Sequence, residues 1–290
     1  ESGVKAQVRV SMDEDHHSLA YGMIRTVPFR QEIFARVPGS AALVTAMGIN
    51  PPLKLDAHTE SQQVTALDVG REFFANLAEV AMFVLPSVDS DHDELPNFGL
   101  VVRANDAQKS EALWSQLLAI PSMLDPEEGP RVQEINVEGQ RGQRYTFDAD
   151  DAPTLDMIRV DDATMVVGTP DAVKAALAID DEQQSILGDR DLADAIQGAP
   201  AYASKAVFAH VGRLLALASQ LEDGHEAQQL ALISQVVKRM KIAVVSDEAP
   251  RQFTLGLEAS ELPVFEEVIR VVAEMQGSRA PSRVVASGMP

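Results

Sequence analysis

The sequence predicts an α+β protein built from two related units, each following a β-α-β-α-β-β-α path, with mixed or antiparallel sheets and helices packed on them. Three observations predict it. At 290 residues the chain exceeds one ordinary domain of roughly 100 to 150 residues, and a hydrophobic content of 46% can supply real cores. Similar stretches recur at a nearly constant spacing. Helical periods and strand pairs are mixed without strict βαβ alternation, which favours helices layered on sheets over a parallel doubly wound fold.

The first strand is VKAQVRVSM, Val4 to Met12. Val4, Ala6, Val8 and Val10 alternate with Lys5, Gln7, Arg9 and Ser11, the period of a strand with one buried face. A helical stretch, SLAYGMIRTVPFRQEIFARV, leads through Pro38 into the strand-like ARVPGSAALVTAMG. TALDVGREFFANLAEV then places Leu67, Phe73, Phe74 and Leu77 at helical spacing. The strand pair VAMFVLPS and NFGLVVRAND follows, and AQKSEALWSQLLAI is a helix whose start after Asp106 suits a polar cap.

The second copy keeps this order. TMVVG precedes SILGDRDLADAIQ, and QGAPAYASKAVFAHVG carries Pro200, which lies 162 positions beyond Pro38. One long helix, LLALASQLEDGHEAQQLALISQVVKRM, leads to the strands KIAVVSDE and RQFTLGLEAS, with Phe253 lying 155 positions beyond Phe98. LPVFEEVIRVVAEM closes the unit as a helix. Between the copies, RVQEINVEGQRGQRYTF and LDMIRVDD supply three further strands, with a hairpin turn around Gly139 and Gly142. GTPDAVKAALA is a helix start with Thr169 at the N-cap and Pro170 at the first helical position, where a missing N–H costs nothing. The units are placed at residues 1–131 and 132–276, the second with the extra β-meander. Residues 277–290, rich in Gly, Ser, Ala and Pro, read as a flexible tail.

The formal charge of −20 repels phosphate backbones and anionic headgroups, so nucleic acid is excluded as a partner class. No apolar run reaches the roughly 18 residues a transmembrane helix needs. Cysteine is absent, which removes disulfides, thiolate catalysis and Cys-ligated metal centres. A first residue other than Met, strong acidity and no cysteine together point to an extracytoplasmic protein with a processed N-terminus.

Four local clusters carry the chemistry worth weighing. In MDEDHHSLA, Asp13, Glu14, Asp15, His16, His17 and Ser18 sit between a strand and a helix, where Asp and Ser serve as caps and acidic groups suit the helix dipole. Adjacent His16 and His17 point about 100° apart on a helix and make a poor ligand pair. DSDHDE, Asp89 to Glu94, begins like a calcium loop but has Glu94 where the loop needs Gly and Leu100 where it needs a bidentate Glu. DADDAP, Asp148 to Pro153, reads as an acidic turn. No metal site and no cofactor is therefore expected. GQRGQRY, Gly139 to Tyr145, is a local basic cluster, and its Arg141 and Arg144 are the candidate interaction residues, since guanidinium forks suit carboxylates. His58, His92, His210 and His225 have no recurring partner, and Trp114 in ALWSQLL reads as core.

YTFDADDAPTLDMIRVDDATMVVGTPDAVKAALA, Tyr145 to Ala178, resembles a pattern of uncharacterised exported α+β repeat proteins of planctomycete-type bacteria. The matching residues are Asp161, Asp162, Val166, Val167, Gly168, Ala172, Val173, Ala175, Ala176 and Leu177. FGLVVRANDAQKSEALWSQL is similar to the same family's strand-then-helix unit. The resemblance implies an exported repeat protein and carries no catalytic residue.

The expected function is a non-enzymatic extracytoplasmic structural or protein-interaction module, with a protein partner or a second copy of itself. The alternatives are a hydrolase using Asp148, Asp150 or Asp151, or a small-ligand binder, in an acidic cleft between the units. The sheet carrying Val4 to Met12 is expected to be completed by another chain or by strands from residues 131–160. Its burial should make loss of residues 1–12 cost several kcal/mol, at about 1.5 to 3 for each buried Val.

Overall fold

The computed structural model describes residues 3–11, 27–49, 72–73, 75–86, 96–118, 129–147, 153–191, 194, 203–222, 224–249, 252–264 and 266–271. The acidic clusters at 12–18, 89–94 and 148–152, with His58 and His92, lie outside them, as does the stretch 277–290.

Eleven strands run through the described chain. They are β1 (Gly3–Ser11), β2 (Leu43–Gly48), β3 (Leu77–Val84), β4 (Phe98–Ala104), β5 (Arg131–Val137), β6 (Gln140–Thr146), β7 (Leu155–Arg159), β8 (Thr164–Gly168), β9 (Ala203–His210), β10 (Lys241–Ala249) and β11 (Gln252–Ser260). They form one sheet in the order β1-β11-β10-β9-β2-β3-β4-β8-β7-β6-β5, and every neighbouring pair is antiparallel. The fold is thus α+β around a large antiparallel sheet. The described strands show no separate sheet for each half of the chain.

Because successive side chains alternate, the register sorts every strand residue onto one of two faces. On the first face, Val44, Phe83, Val101, Val166, Ile158, Phe208 and Ala243 pack under Ile33, Phe34 and Val37 of a 3-10 helix (Gln31–Arg36) and its C-cap, and under α2 (Pro170–Leu177). Thr169 and Pro170 stand at the expected N-cap and first turn of that helix. On the second face, α1 (Ala107–Leu118) covers only one end of the sheet, where Leu113 packs with Val102, Met157, Met165 and Val167. Trp114 belongs to this cluster as a half-buried residue, edge-on to Phe73 at 4.9 Å.

Three helical expectations are corrected. The pattern from Thr65 to Val80 is helical only at 72–73 and 75–76 among the described residues; β3 begins already at Leu77 because Leu77, Glu79, Ala81 and Phe83 alternate inward. The long helix after β9 is two helices, α3 (Val211–Leu221) and α4 (Gly224–Val236), broken where Gly224 takes φ +67°, a left-handed conformation that glycine adopts readily. RQEIFARV forms the 3-10 helix rather than an α-helix.

The β5–β6 hairpin turns on Glu138 and Gly139, with φ 49° and 82°, the pattern of a two-residue type I′ turn. Gly142 is not in the turn but in β6, opposite Ile158 of β7.

β1 also departs from expectation. It forms over Gly3–Ser11, yet every residue in it is exposed, so its apolar alternation marks a face that stays open. It pairs with β11 rather than with the linking strands, and β5, β6 and β7 lie at the opposite end of the sheet. With no buried valine, the several-kcal/mol expectation for its removal loses its basis.

Candidate interaction surface

The register traces one unbroken line of directly opposed side chains across the second face: Ala6, Leu257, Val244, Val207, Thr45, Met82, Leu100, Val167 and Met157. α1 buries its far end at Val167 and Met157. Towards β1 the cover ends. Met82 is 39% exposed, Val207 39% and Leu257 40%, with Met47 beside them at 37%. Val4, Val8 and Val10 continue the exposed apolar surface to the edge strand. A contiguous exposed apolar patch of this kind marks a place where another apolar surface belongs. Beyond β1, among the described residues, no strand follows, and an unpaired edge offers N–H and C=O groups to an incoming strand.

The strands also explain why Arg141 and Arg144 do not act together. Three positions apart on β6, they point to opposite faces. Arg144 donates to both oxygens of Asp156, at 2.6 and 2.7 Å, and the Asp156 side chain is fully buried. This is a structural fork, already filled. Arg141 stays exposed and lines an open concavity of about 920 Å³ with Glu111, Glu134 and Arg159. Arg159 lies 3.5 Å from Glu111, so charges of both signs are present there.

Two polar clusters that sequence reasoning missed flank the first face. Lys241, at the start of β10, donates to Asp189 at 2.9 Å and Asp191 at 2.8 Å. Nearby, Arg213 donates to the carbonyls of Gly39 and Ala41, tying α3 to the loop before β2. His210 lies between these cations; burial first, then Arg213 and Lys241, hold its imidazole below the usual histidine pKa. An open hollow of about 530 Å³ lies beside Arg213, Asp189 and Ser40, with Ala175, Ala178 and Ile179 also in its wall. His225 is exposed on α4 and within 2.7 Å of Gln229.

The second cluster centres on Glu79, a buried carboxylate on β3. Arg30 stands 3.8 Å from one oxygen and Arg103 4.0 Å from the other, and that second oxygen, Oε2, has no hydrogen-bond partner. Burial raises its pKa, with Arg103 and the Arg30 backbone N–H pulling the other way. A carboxyl whose folded pKa is raised adds stability that is complete below the unfolded value and lost as pH rises through the folded one. Urea unfolding across pH 4 to 8 should therefore show Glu79→Gln gaining on the wild type as pH rises above about 4.3, the ordinary glutamate value. A difference that is flat with pH would mean that Glu79 ionises in the fold without penalty.

No protein-family model matches the chain, and no curated protein matches it. Among solved structures, crystal form III of TP0453, a spirochete protein, is similar at a TM-score of 0.36 and 8% identity, over 87% of this chain and 99% of that one. A likeness at that level carries no inference about function.

Proposed function

We propose that the chain is a protein-interaction module of two related β-α-β-α-β-β-α units, akin to the exported repeat proteins of planctomycete-type bacteria and acting outside the cytoplasm. The open β1 edge and the apolar surface beside it are the docking region, and that exposed edge is the observation that carries the reading.

The ladder registers support the duplication. If β2 corresponds to β9 at the 162-residue spacing of Pro38 and Pro200, the pairings relate β3 to β10 at 162, β4 to β11 at 157 and β1 to β8 at 161. Ala81 then matches Ala243 and Gly99 matches Gly256, while Thr45 lies opposite its own counterpart Val207 at the centre of the sheet. The leading strand of each unit pairs with the last strand of the other: β8 with β4, and β1 with β11. Such an exchange makes the halves one cooperative body.

The hydrolase and small-ligand alternatives need a cleft between the units. Here the described strands run continuously from one half to the other, and Asp148, Asp150 and Asp151 lie outside the described residues.

A photoactivatable residue in place of Val8, introduced in the source cell, tests the proposal. Irradiation should give an adduct with a second polypeptide at position 8 and none at Glu226, exposed on α4. No polypeptide adduct at position 8 would overturn it.

A further inference from the structure

We propose that the β1 edge receives an extended, acidic segment of a partner protein, antiparallel to β1 and apolar on the side that continues the open sheet face. This rests on the interaction-module reading and specifies its partner.

The sheet supplies the template for the missing strand. β8, the counterpart of β1, carries β7 on the side away from β4, with Met157 opposite Val167 and Ile158 opposite Val166. The same relation places an antiparallel strand against Val4 to Gln7 on the side of β1 away from β11. A strand in that position extends the apolar line beyond Ala6 and Leu257, so its side chains on that face should be apolar.

The other face sets the charge. Lys5 and Arg9 project there from β1, in a chain whose overall charge is −20. Lys5 is 2.8 Å from Glu258, and Asp191 and Asp194 also act on it, but it remains largely exposed. Arg9 stands opposite Thr254 rather than a carboxylate. Two edge cations favour acidic residues directly across a ladder and repel basic ones. They also disfavour a second β1: two copies paired antiparallel about Gln7 would set Lys5 against Arg9. The proposal runs against the field of the whole molecule, which attracts cationic peptides, and that opposition makes it testable.

The probes are fluorescent peptides of alternating valine and glutamate, or valine and lysine, titrated against the full chain at low salt and followed by anisotropy. The glutamate peptide should bind more tightly, by about five- to tenfold. Lys5→Glu with Arg9→Glu should reverse the order, while circular dichroism confirms an unchanged fold. Methylating alternate backbone nitrogens of the glutamate peptide should abolish binding, since the strand can no longer donate to the edge. If the methylated peptide binds as well as its parent, edge docking itself is wrong. If methylation matters but the charge order is absent or unmoved by the double variant, the edge reading stands and the acidic partner is wrong. Failure of both parent peptides to bind overturns both.

Discussion

Replacing Arg144 with alanine should destabilise the protein by about 3 kcal/mol, although the residue is partly exposed. The reason is its partner. Asp156 is fully buried, and both of its oxygens accept from this one guanidinium. Removing one member of a buried pair strands the other charge away from water, which typically costs about 3 to 5 kcal/mol; the partial exposure of Arg144 places this case at the lower end. Arg144→Lys should lose part of this, because an ammonium cannot form the two parallel hydrogen bonds. Arg144→Met combined with Asp156→Leu should recover most of it, since no charge is then left buried. Equilibrium urea unfolding measures all three. An Arg144→Ala variant with wild-type stability would return this arginine to the surface as a free contact residue.

The second large effect is expected at Phe83, whose ring is fully buried on the first face. It lies directly across the ladder from Gly99, and a β-carbon at Gly99 would sit 2.3 Å from the ring. Glycine is required there as space. Phe83→Ala should cost about 4 kcal/mol through lost burial and the cavity left behind. Gly99→Ala should cost about 1 to 3 kcal/mol, because the ring must move within a closed core. In a Phe83→Ala background the Gly99 penalty should shrink by on the order of 1 kcal/mol, the coupling expected of residues in contact. Additive losses would show that the ring and the glycine are not interlocked.

The sequence revealed what depends on neighbours along the chain. The α2 start at Thr169 and Pro170 and the meander of β5, β6 and β7 were legible because caps, turns and periodicity are local signals. Whatever depends on long-range partners was not. The alternation in β1 announces a strand, but the same pattern describes a face that is covered and a face awaiting cover. Arg141 and Arg144 looked like one cluster until the strand period set them on opposite sides. Asp156 and Lys241 sit among ordinary residues and gain significance only from Arg144, Asp189 and Asp191. One missed signal was available: LAEVAMFV in β3 is apolar at nearly every position, as expected of a strand whose two faces both want partners.

The pairing of β1 with β11 joins Gly3 to Ser260. At about 5 to 20 residues per second, the ribosome separates these two residues by roughly 13 to 50 s. β1 must therefore wait for β11, its one hydrogen-bonding neighbour among the described strands, and closing so long a loop also slows folding. A growing chain presents a valine-rich extended segment throughout that interval, long enough for a chaperone or an export factor to hold it. Formation of this ladder then reports that synthesis has passed β11.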